Sequence, residues 1–265
     1  MFGIWCKLKY AKNLRRIKMQ RYFVNETFNT EKELVITGDS ARHISKVMRM
    51  EAGEKVIVVI EEIAYICEII SLSDEVVVKQ TGEIVPSPEM PVQVDIACGL
   101  PKGDKLEFIA QKGTELGMHR LIPFKAERSI VKWDEKKGEK KTERTQKIAQ
   151  EAAEQSHRTH VPEVSNPITF KQLLSLLENY DHVFIADEED AKQENRTRFA
   201  DKLKKVYDNK SKSILLIFGP EGGISRTEAE SLLNAGAETM SLGPRILRAE
   251  TAPLYALSAI SYEFE

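Results

Sequence analysis

Near the C-terminus two apolar runs each break into a loop rich in glycine and proline, and each loop leads into a helical pattern. The first run is Ile214-Leu215-Leu216-Ile217-Phe218, followed by Gly219-Pro220-Glu221-Gly222-Gly223-Ile224-Ser225. The second is Thr239-Met240-Ser241-Leu242, followed by Gly243-Pro244-Arg245-Ile246-Leu247-Arg248-Ala249-Glu250-Thr251. An unbroken apolar run of strand length suits a strand covered on both faces, as in a parallel sheet. Ligands of open parallel sheets gather beyond the C-terminal ends of the strands. Two glycine-bearing loops at neighbouring strand ends are therefore expected to form a pocket where bare backbone meets a flat ligand. The loops contain neither G-x-x-x-x-G-K-[ST] nor G-x-G-x-x-G, which argues against a P-loop or a dinucleotide fingerprint. Two tight turns with ordinary strand-to-helix duties are the alternative.

The rest of the C-terminal part has the same alternation. Val92–Leu100 reads as a strand, Lys102–Leu116 as a helix and Leu121–Phe124 as a strand. A long helix is expected from about Lys140 to His157, and another strand at Val183–Ala186. Ser225-Arg226-Thr227-Glu228 has capping-box spacing and opens a helix to Ala235. Thr251 to Phe264 reads as the last helix. Strands alternating with helices predict an α/β domain with a mostly parallel sheet over residues 92–265.

Residues 19–91 differ. Glu54–Ile60, Ala64–Ile70 and Glu75–Lys79 read as successive strands. Asp39–Met50 reads as a helix, with Ile44, Val47 and Met48 on one face. Pro86, Pro88 and Pro91 then mark a linker, since proline blocks helix and removes sheet donors. The expectation is a small β-barrel-like module. Residues 1–18 carry six cations and no acid. They are expected to be a disordered or non-native leader, with Met19 the natural start; a basic RNA-binding arm is the alternative.

The chain has 265 residues and no apolar run near the roughly 20 residues of a membrane helix. Its three cysteines, Cys6, Cys67 and Cys98, are widely spaced, which suits a reducing cytoplasm and offers no metal framework. His157 and His160 have a metal-like spacing, but no third ligand accompanies them. Net charge is −2, yet residues 101–147 lean basic. Such a stretch follows a phosphate backbone or, with Glu135, Glu139 and Glu143 interleaved, forms a solvated surface.

Taken in order, these motifs resemble one family. They are Gln20-Arg21-Tyr22-Phe23, His43 with Val47-Met48-Arg49, Lys102-Gly103-Asp104-Lys105, Gln111-Lys112-Gly113-Thr114-Glu115-Leu116-Gly117, Glu154-Gln155-Ser156-x-Arg158 and the two C-terminal loops. From about Met19 onward the chain resembles the bacterial 16S rRNA (uracil-N3)-methyltransferases of the RsmE type, within the SPOUT superfamily. The resemblance implies a PUA-like RNA-binding barrel, then a SPOUT-type parallel sheet whose C-terminal chain forms a trefoil knot. It implies a cytoplasmic homodimer, without metal or membrane, that uses S-adenosyl-L-methionine to methylate N3 of one uridine in 16S rRNA or the small ribosomal subunit. Another SPOUT methyltransferase with a different target, or a non-catalytic ribosome-assembly factor, are the alternatives.

The residues expected at the cofactor are Ile217, Phe218, Gly219, Pro220, Glu221, Gly222, Gly223, Leu242, Gly243, Ile246, Leu247, Arg248 and Thr251. Arg248 is the catalytic candidate, because a guanidinium beside a uracil carbonyl favours the anion that loss of the N3 proton leaves. Substrate-side candidates are Arg21, His43, Arg49, Lys102, Lys112, Arg128, Glu154, Gln155 and Arg158, the cations for phosphate and Gln155 for a base edge.

Overall fold

A computed structural model describes residues 19–186 and 198–265, so the leader expected at residues 1–18 lies outside the described residues. The chain divides into two compact units, with the break between Pro88 and Glu89.

The first unit holds β1 (Arg21–Phe23), β2 (Glu33–Ile36), β3 (Lys55–Ile60), β4 (Ile63–Leu72) and β5 (Val76–Val85). They form one sheet in the order β1-β3-β4-β5-β2, antiparallel except for the β1–β3 pair. The sheet curls so that β3 is buried on both faces. Val56, Val58 and Ile60 enter the main core, while Ile57 and Val59 pack with Phe23 and Val85. This is why β3 reads as unbroken Val and Ile.

One expectation fails here. The predicted Asp39–Met50 helix is a short α1 (Gly38–Arg42) that widens into a π turn over His43–Val47 and ends on Arg49 with φ 53°. The extra residue per turn rotates the following positions off the core face. Ile44 is fully buried, whereas Val47 is 66% and Met48 40% exposed.

The second unit is built on β6 (Gln93–Gly99), β7 (Arg120–Lys125), β8 (Glu163–Val164), β9 (Ile168–Thr169), β10 (His182–Ala186), β11 (Ser213–Phe218) and β12 (Glu238–Met240). The order is β12-β10-β11-β6-β7-β8, with β9 also on β7, and every pairing is parallel. Along β11, Ile214, Leu216 and Phe218 face one core and Leu215 and Ile217 the other. The first core is closed by α2 (Lys105–Glu115), α3 (Glu135–Gln155), α5 (Phe199–Asp208) and α7 (Thr251–Phe264). The second is closed by α4 (Phe170–Leu176) and α6 (Arg226–Asn234). Sequence periodicity did not reveal β1, β2, β8, β9, α4 or α5. The first four are strands of two to four residues, too short to show a period.

The helix α3 ends in a Schellman turn. His157 takes φ 60°, and Arg158 N donates to Ala153 O at 2.9 Å. The turn drives Arg158 inward, where it is 5% exposed. Its guanidinium donates to Met118 O (2.6 Å) and Thr114 O (3.1 Å), and its Nε to Glu89 Oε2 (3.0 Å). Glu89 also accepts from the backbone N–H groups of Thr159 (2.8 Å) and His160 (3.1 Å). A residue inside the expected proline linker is thus an anchor of the second unit. Burial alone would raise the Glu89 carboxyl, but Arg158 and the two amides outweigh it and hold it below the usual range.

Breaking this pair strands a buried guanidinium, so Glu89→Ala is expected to destabilise the protein by about 3 kcal/mol at pH 7, read by urea unfolding. Because the folded carboxyl is depressed, its contribution is complete above the unfolded value near ~4.3 and lost as pH falls through the folded value. The gap between wild type and variant should therefore close in acid. An equal gap at pH 7 and well below that range would refute the assignment.

Candidate active site

The strand order reverses between β11 and β6, where one path runs outward through β10 and the other through β7. Loops from the C-terminal ends of β6, β7, β11 and β12 meet on this side of the sheet. The two glycine loops do not leave adjacent strands, as the sequence suggested. Strand β10 lies between β11 and β12, and its last residue, Ala186, lines the cavity between the loops.

That cavity has a volume of about 670 Å³, within the rough 300–1,000 Å³ range of small-molecule sites. Phe218, Met240, Leu242 and Ala252 give it apolar walls, and the backbones of 219–223 and 243–248 complete it. Eleven of the thirteen expected cofactor residues line it: Phe218, Gly219, Pro220, Glu221, Gly222, Gly223, Leu242, Gly243, Ile246, Leu247 and Arg248. Two do not. Ile217 is fully buried against the opposite core. Thr251 starts α7, with its amide on Arg248 O (2.9 Å), and is exposed outside the cavity.

The glycines serve different ends. A Cβ on Gly219 would stand 2.5 Å from the carbonyl carbon of Gly223 and 2.6 Å from Ile224 N. Gly219 therefore lets the loop close on itself rather than on a ligand. A Cβ on Gly99, at the end of β6, would stand 2.5 Å from Pro220 Cδ. At Gly222 a Cβ would press on Arg128, 3.1 Å from its Cβ, so a side chain there disturbs Arg128 first. Gly223 and Gly243 have φ of 70° and 104° with open space where a side chain would go. These two leave backbone bare on the cavity side.

The first loop is held from below by a polar lattice. Ser225 caps α6 by accepting from Glu228 N (3.2 Å), and Glu228 Oε2 accepts from Ser225 N (3.1 Å), the expected capping box. Ser225 Oγ donates to Glu127 Oε2 (2.6 Å), and Glu127 N donates to Glu228 Oε1 (2.9 Å). Beside it Arg128 Nη1 donates to Gly222 O (3.2 Å) and Ile224 O (3.4 Å).

Lys105, at the start of α2, is the residue that sequence reasoning missed. Its Nζ lies 2.9 Å from Glu221 Oε1 in the first loop and 3.1 Å from Glu250 Oε2 after the second. The backbone N–H of Lys102 also donates to Glu221 Oε1 (3.1 Å). The contact with Glu250 is ionic rather than an aligned hydrogen bond, for Glu250 Oε2 is buried with no hydrogen-bond partner. Burial alone would raise both carboxyls, but Lys105 and nearby amides hold both below the usual range. Lys105 itself is pushed up by the two carboxylates. The signal was present as Lys102-Gly103-Asp104-Lys105, but nothing in the spacing showed which lysine turns inward.

Arg248 stands at the mouth, 84% exposed, with Nη1 3.9 Å from Glu250 Oε1. Arg128, Arg226 and Arg245 also line the cavity, so its rim is cationic. Of the other substrate-side candidates, Lys102 and Gln155 are exposed, Lys112 pairs with Glu115 (2.7 Å) and Glu154 is half-buried, with its carboxyl raised by burial. Arg158 does not reach the surface, as described above. In the first unit Arg21 is buried, His43 Nδ1 lies 3.0 Å from the Tyr22 hydroxyl and Arg49 is exposed. Part of the basic stretch is spent internally: Lys141 (3.0 Å) and Arg144 (2.8 Å) both pair with Glu107. Lys125, Lys132, Lys136, Lys137 and Lys140 are exposed. His160 Nε2 lies 2.9 Å from His119 O and its ring stacks on His119, and no metal-like cluster occurs among the described residues.

Residues 88–261 match the RNA methyltransferase domain family, and residues 36–79 match the RNA methyltransferase PUA domain. The ribosomal RNA small subunit methyltransferase E of Bacillus subtilis (strain 168) is 48% identical over 255 residues, covering 93% of this chain and 98% of the relative. The chain belongs to the ribosomal RNA small subunit methyltransferase E family. Its relative from Mesomycoplasma hyopneumoniae (strain 232) is 30% identical over 91% of this chain and 98% of its own. A crystal structure of the Neisseria gonorrhoeae family member bound to S-adenosyl methionine is 27% identical with a TM-score of 0.79, covering 93% of this chain and 98% of that one. A putative methyltransferase from Legionella pneumophila, also with bound S-adenosyl methionine, has the same identity, TM-score and coverage. The α/β parallel sheet and the small curled sheet before it are the architecture shared with these structures.

Gly219→Ala offers a direct check on the loop. The added methyl meets the Gly223–Ile224 peptide, which is main chain, so no rotamer change relieves it. A loss of about 2 kcal/mol or more is expected, with faster amide exchange confined to residues around 219–225. Unchanged melting and exchange would show that the close approach is not real.

Proposed function

We propose that this protein methylates N3 of a specific uridine in 16S rRNA of the small ribosomal subunit, with S-adenosyl-L-methionine held in the cavity between the two loops. The observation that carries the reading is the cavity itself: apolar walls, bare backbone at Gly223 and Gly243, and a cationic rim. It is supported by 48% identity with a small subunit rRNA methyltransferase and by S-adenosyl methionine in two similar structures. The apolar walls suit an adenine ring, and backbone N–H and C=O groups suit its edge. When bound, S-adenosyl-L-methionine supplies a methyl group on a cationic sulfur, an activated leaving group that requires no metal.

The protein's residues have the remaining work. Neutral uracil N3 carries a proton and attacks poorly, so the base must lose that proton. The Arg248 guanidinium faces outward, where a flipped uracil would arrive, and its charge stabilises the anion delocalised onto the carbonyl oxygens. It cannot accept the proton, being charged at any ordinary pH. Glu221 and Glu250 are poor acceptors, since Lys105 engages both and both are depressed. Solvent is therefore the proton's destination. Arg128, Arg226 and Arg245 suit the phosphates flanking the base; Lys102 before α2 and Lys112 on it extend that reading, and Gln155 at the end of α3 suits a base edge. Arg49 and His43 of the first unit are read as contacts with RNA.

We extend the proposal to a cytoplasmic homodimer with a trefoil knot in its C-terminal chain. Phe108 on α2 and Tyr255 on α7 are each more than 40% exposed, and Tyr262 is 88% exposed, which suits cover by a second copy. No helix among the described residues is long and apolar enough to cross a membrane.

Incubation with small-subunit rRNA and labelled S-adenosyl-L-methionine, followed by nucleoside mass analysis, is expected to give 3-methyluridine at one position. A different methylated nucleoside would transfer the protein to another target, and no binding of S-adenosyl-L-methionine by calorimetry would end the enzymatic reading. Arg248→Ala is expected to keep the melting curve and the calorimetric affinity while turnover falls about a hundredfold. Wild-type turnover in that variant would remove Arg248 from the chemistry.

A further inference from the structure

Alternating charges cross the mouth of the cavity. Glu221, Lys105, Glu250 and Arg248 follow one another at separations of 2.9, 3.1 and 3.9 Å. They come from three places in the chain: the loop after β11, the start of α2 and the loop after β12. The two oxygens of Glu250 are divided, Oε2 toward Lys105 and Oε1 toward Arg248. The shares are unequal. Lys105 is at contact distance, whereas Arg248 stands at the limit of an ion pair with its side chain 84% exposed.

The inequality has a chemical meaning. The Glu250 side chain is only 16% exposed, so its carboxylate needs a nearby cation. Arg248 is two residues away on the same loop and is the other cation paired with it. A guanidinium and a carboxylate favour a tight, two-pronged pair when nothing intervenes. Such a pair would fold Arg248 down onto the protein and cancel the charge it presents outward. In the structure this does not happen: Lys105 holds Glu250 through Oε2 and shares itself with Glu221, and Arg248 stays 3.9 Å from Oε1.

We propose that Lys105 is a positioning residue: by holding Glu250, it keeps the Arg248 guanidinium extended and unneutralised at the mouth, ready for the substrate base. This rests on the catalytic role proposed for Arg248. It assigns α2 a share in the chemistry, although Lys105 need not touch the base. It also explains why a carboxylate two residues from the guanidinium does not silence it.

Lys105→Met keeps the apolar stem and removes the charge. Turnover is expected to fall about tenfold or more, with a much smaller change in KM for RNA and in calorimetric affinity for S-adenosyl-L-methionine. The deciding variant is the double Lys105→Met/Glu250→Gln. With the competing carboxylate neutralised, Arg248 is released and most of the lost turnover returns. Lys105→Arg, whose longer cation still spans both carboxylates, is expected to retain activity. An independent readout is solvent exchange of the Arg248 Nε–H by NMR, slowed in Lys105→Met and restored in the double variant.

A double variant no more active than Lys105→Met, or Arg248 exchange unaltered by Lys105→Met, overturns the proposal and leaves Lys105 as a loop tether. Should Lys105→Met fail to fold, Lys105→Gln alone and with Glu250→Gln repeats the comparison. The two readings also fail differently. Full turnover in Arg248→Ala sinks the catalytic role itself, whereas an inactive Arg248→Ala beside a fully active Lys105→Met sinks Lys105 alone.

Discussion

Burial of β11 on both faces governs the second unit. Five apolar side chains in succession leave the strand no solvent side, so helices must cover it above and below, and its neighbours must be parallel strands reached by crossovers. Polar function is thereby pushed to the strand end. There the chain turns sharply, and the only residue that fits at the bend is glycine, because the returning backbone of 223–224 would lie 2.5–2.6 Å from a Cβ on Gly219, well inside van der Waals contact. The cavity beside the loop follows from that tight return. The sheet is a rigid floor, and the chemistry sits where its regular hydrogen bonding stops.

Around the cavity, charge is organised in layers. Below the first loop, Glu127, Ser225 and Glu228 use their oxygens on backbone amides and on one another, which locks the loop to α6. At the mouth, Lys105 and the two carboxylates tie the loops together. Beyond these lie guanidinium groups with little internal obligation, Arg245 and Arg248 among them. Glu221 and Glu250 are held below the usual range by Lys105 and nearby amides, while the rim guanidinium of Arg248 stays exposed. A nearly neutral protein can in this way present a strongly basic opening, which net charge alone conceals.

Much of this was legible in the residues. The Ser225–Glu228 capping box, α7 and the unbroken strand β11 stand where the pattern put them, because each depends on local chemistry. What escaped depended on contacts far apart in sequence. The insertion of β10 between β11 and β12 is a crossover, and periodicity does not encode strand order. Arg158 looked like a surface cation at the end of a basic helix, yet a left-handed His157 turns it inward to meet Glu89, sixty-nine residues earlier. The π turn at His43–Val47 shifts Val47 and Met48 outward by one extra residue, an offset that a 3.6-residue period cannot register. Lys105 is indistinguishable from its neighbours until the fold brings two acids to it.

The contact between Gly99 and Pro220 fixes where the first loop meets the sheet. A methyl at position 99 would stand 2.5 Å from Pro220 Cδ, in the volume of the proline ring. Removing the ring would not relieve it, because the backbone nitrogen of residue 220 would stand 2.8 Å from the same methyl whatever side chain it carried. The end of β6 and the loop after β11 are therefore butted together through main chain, and the lip of the cavity cannot settle inward at that point.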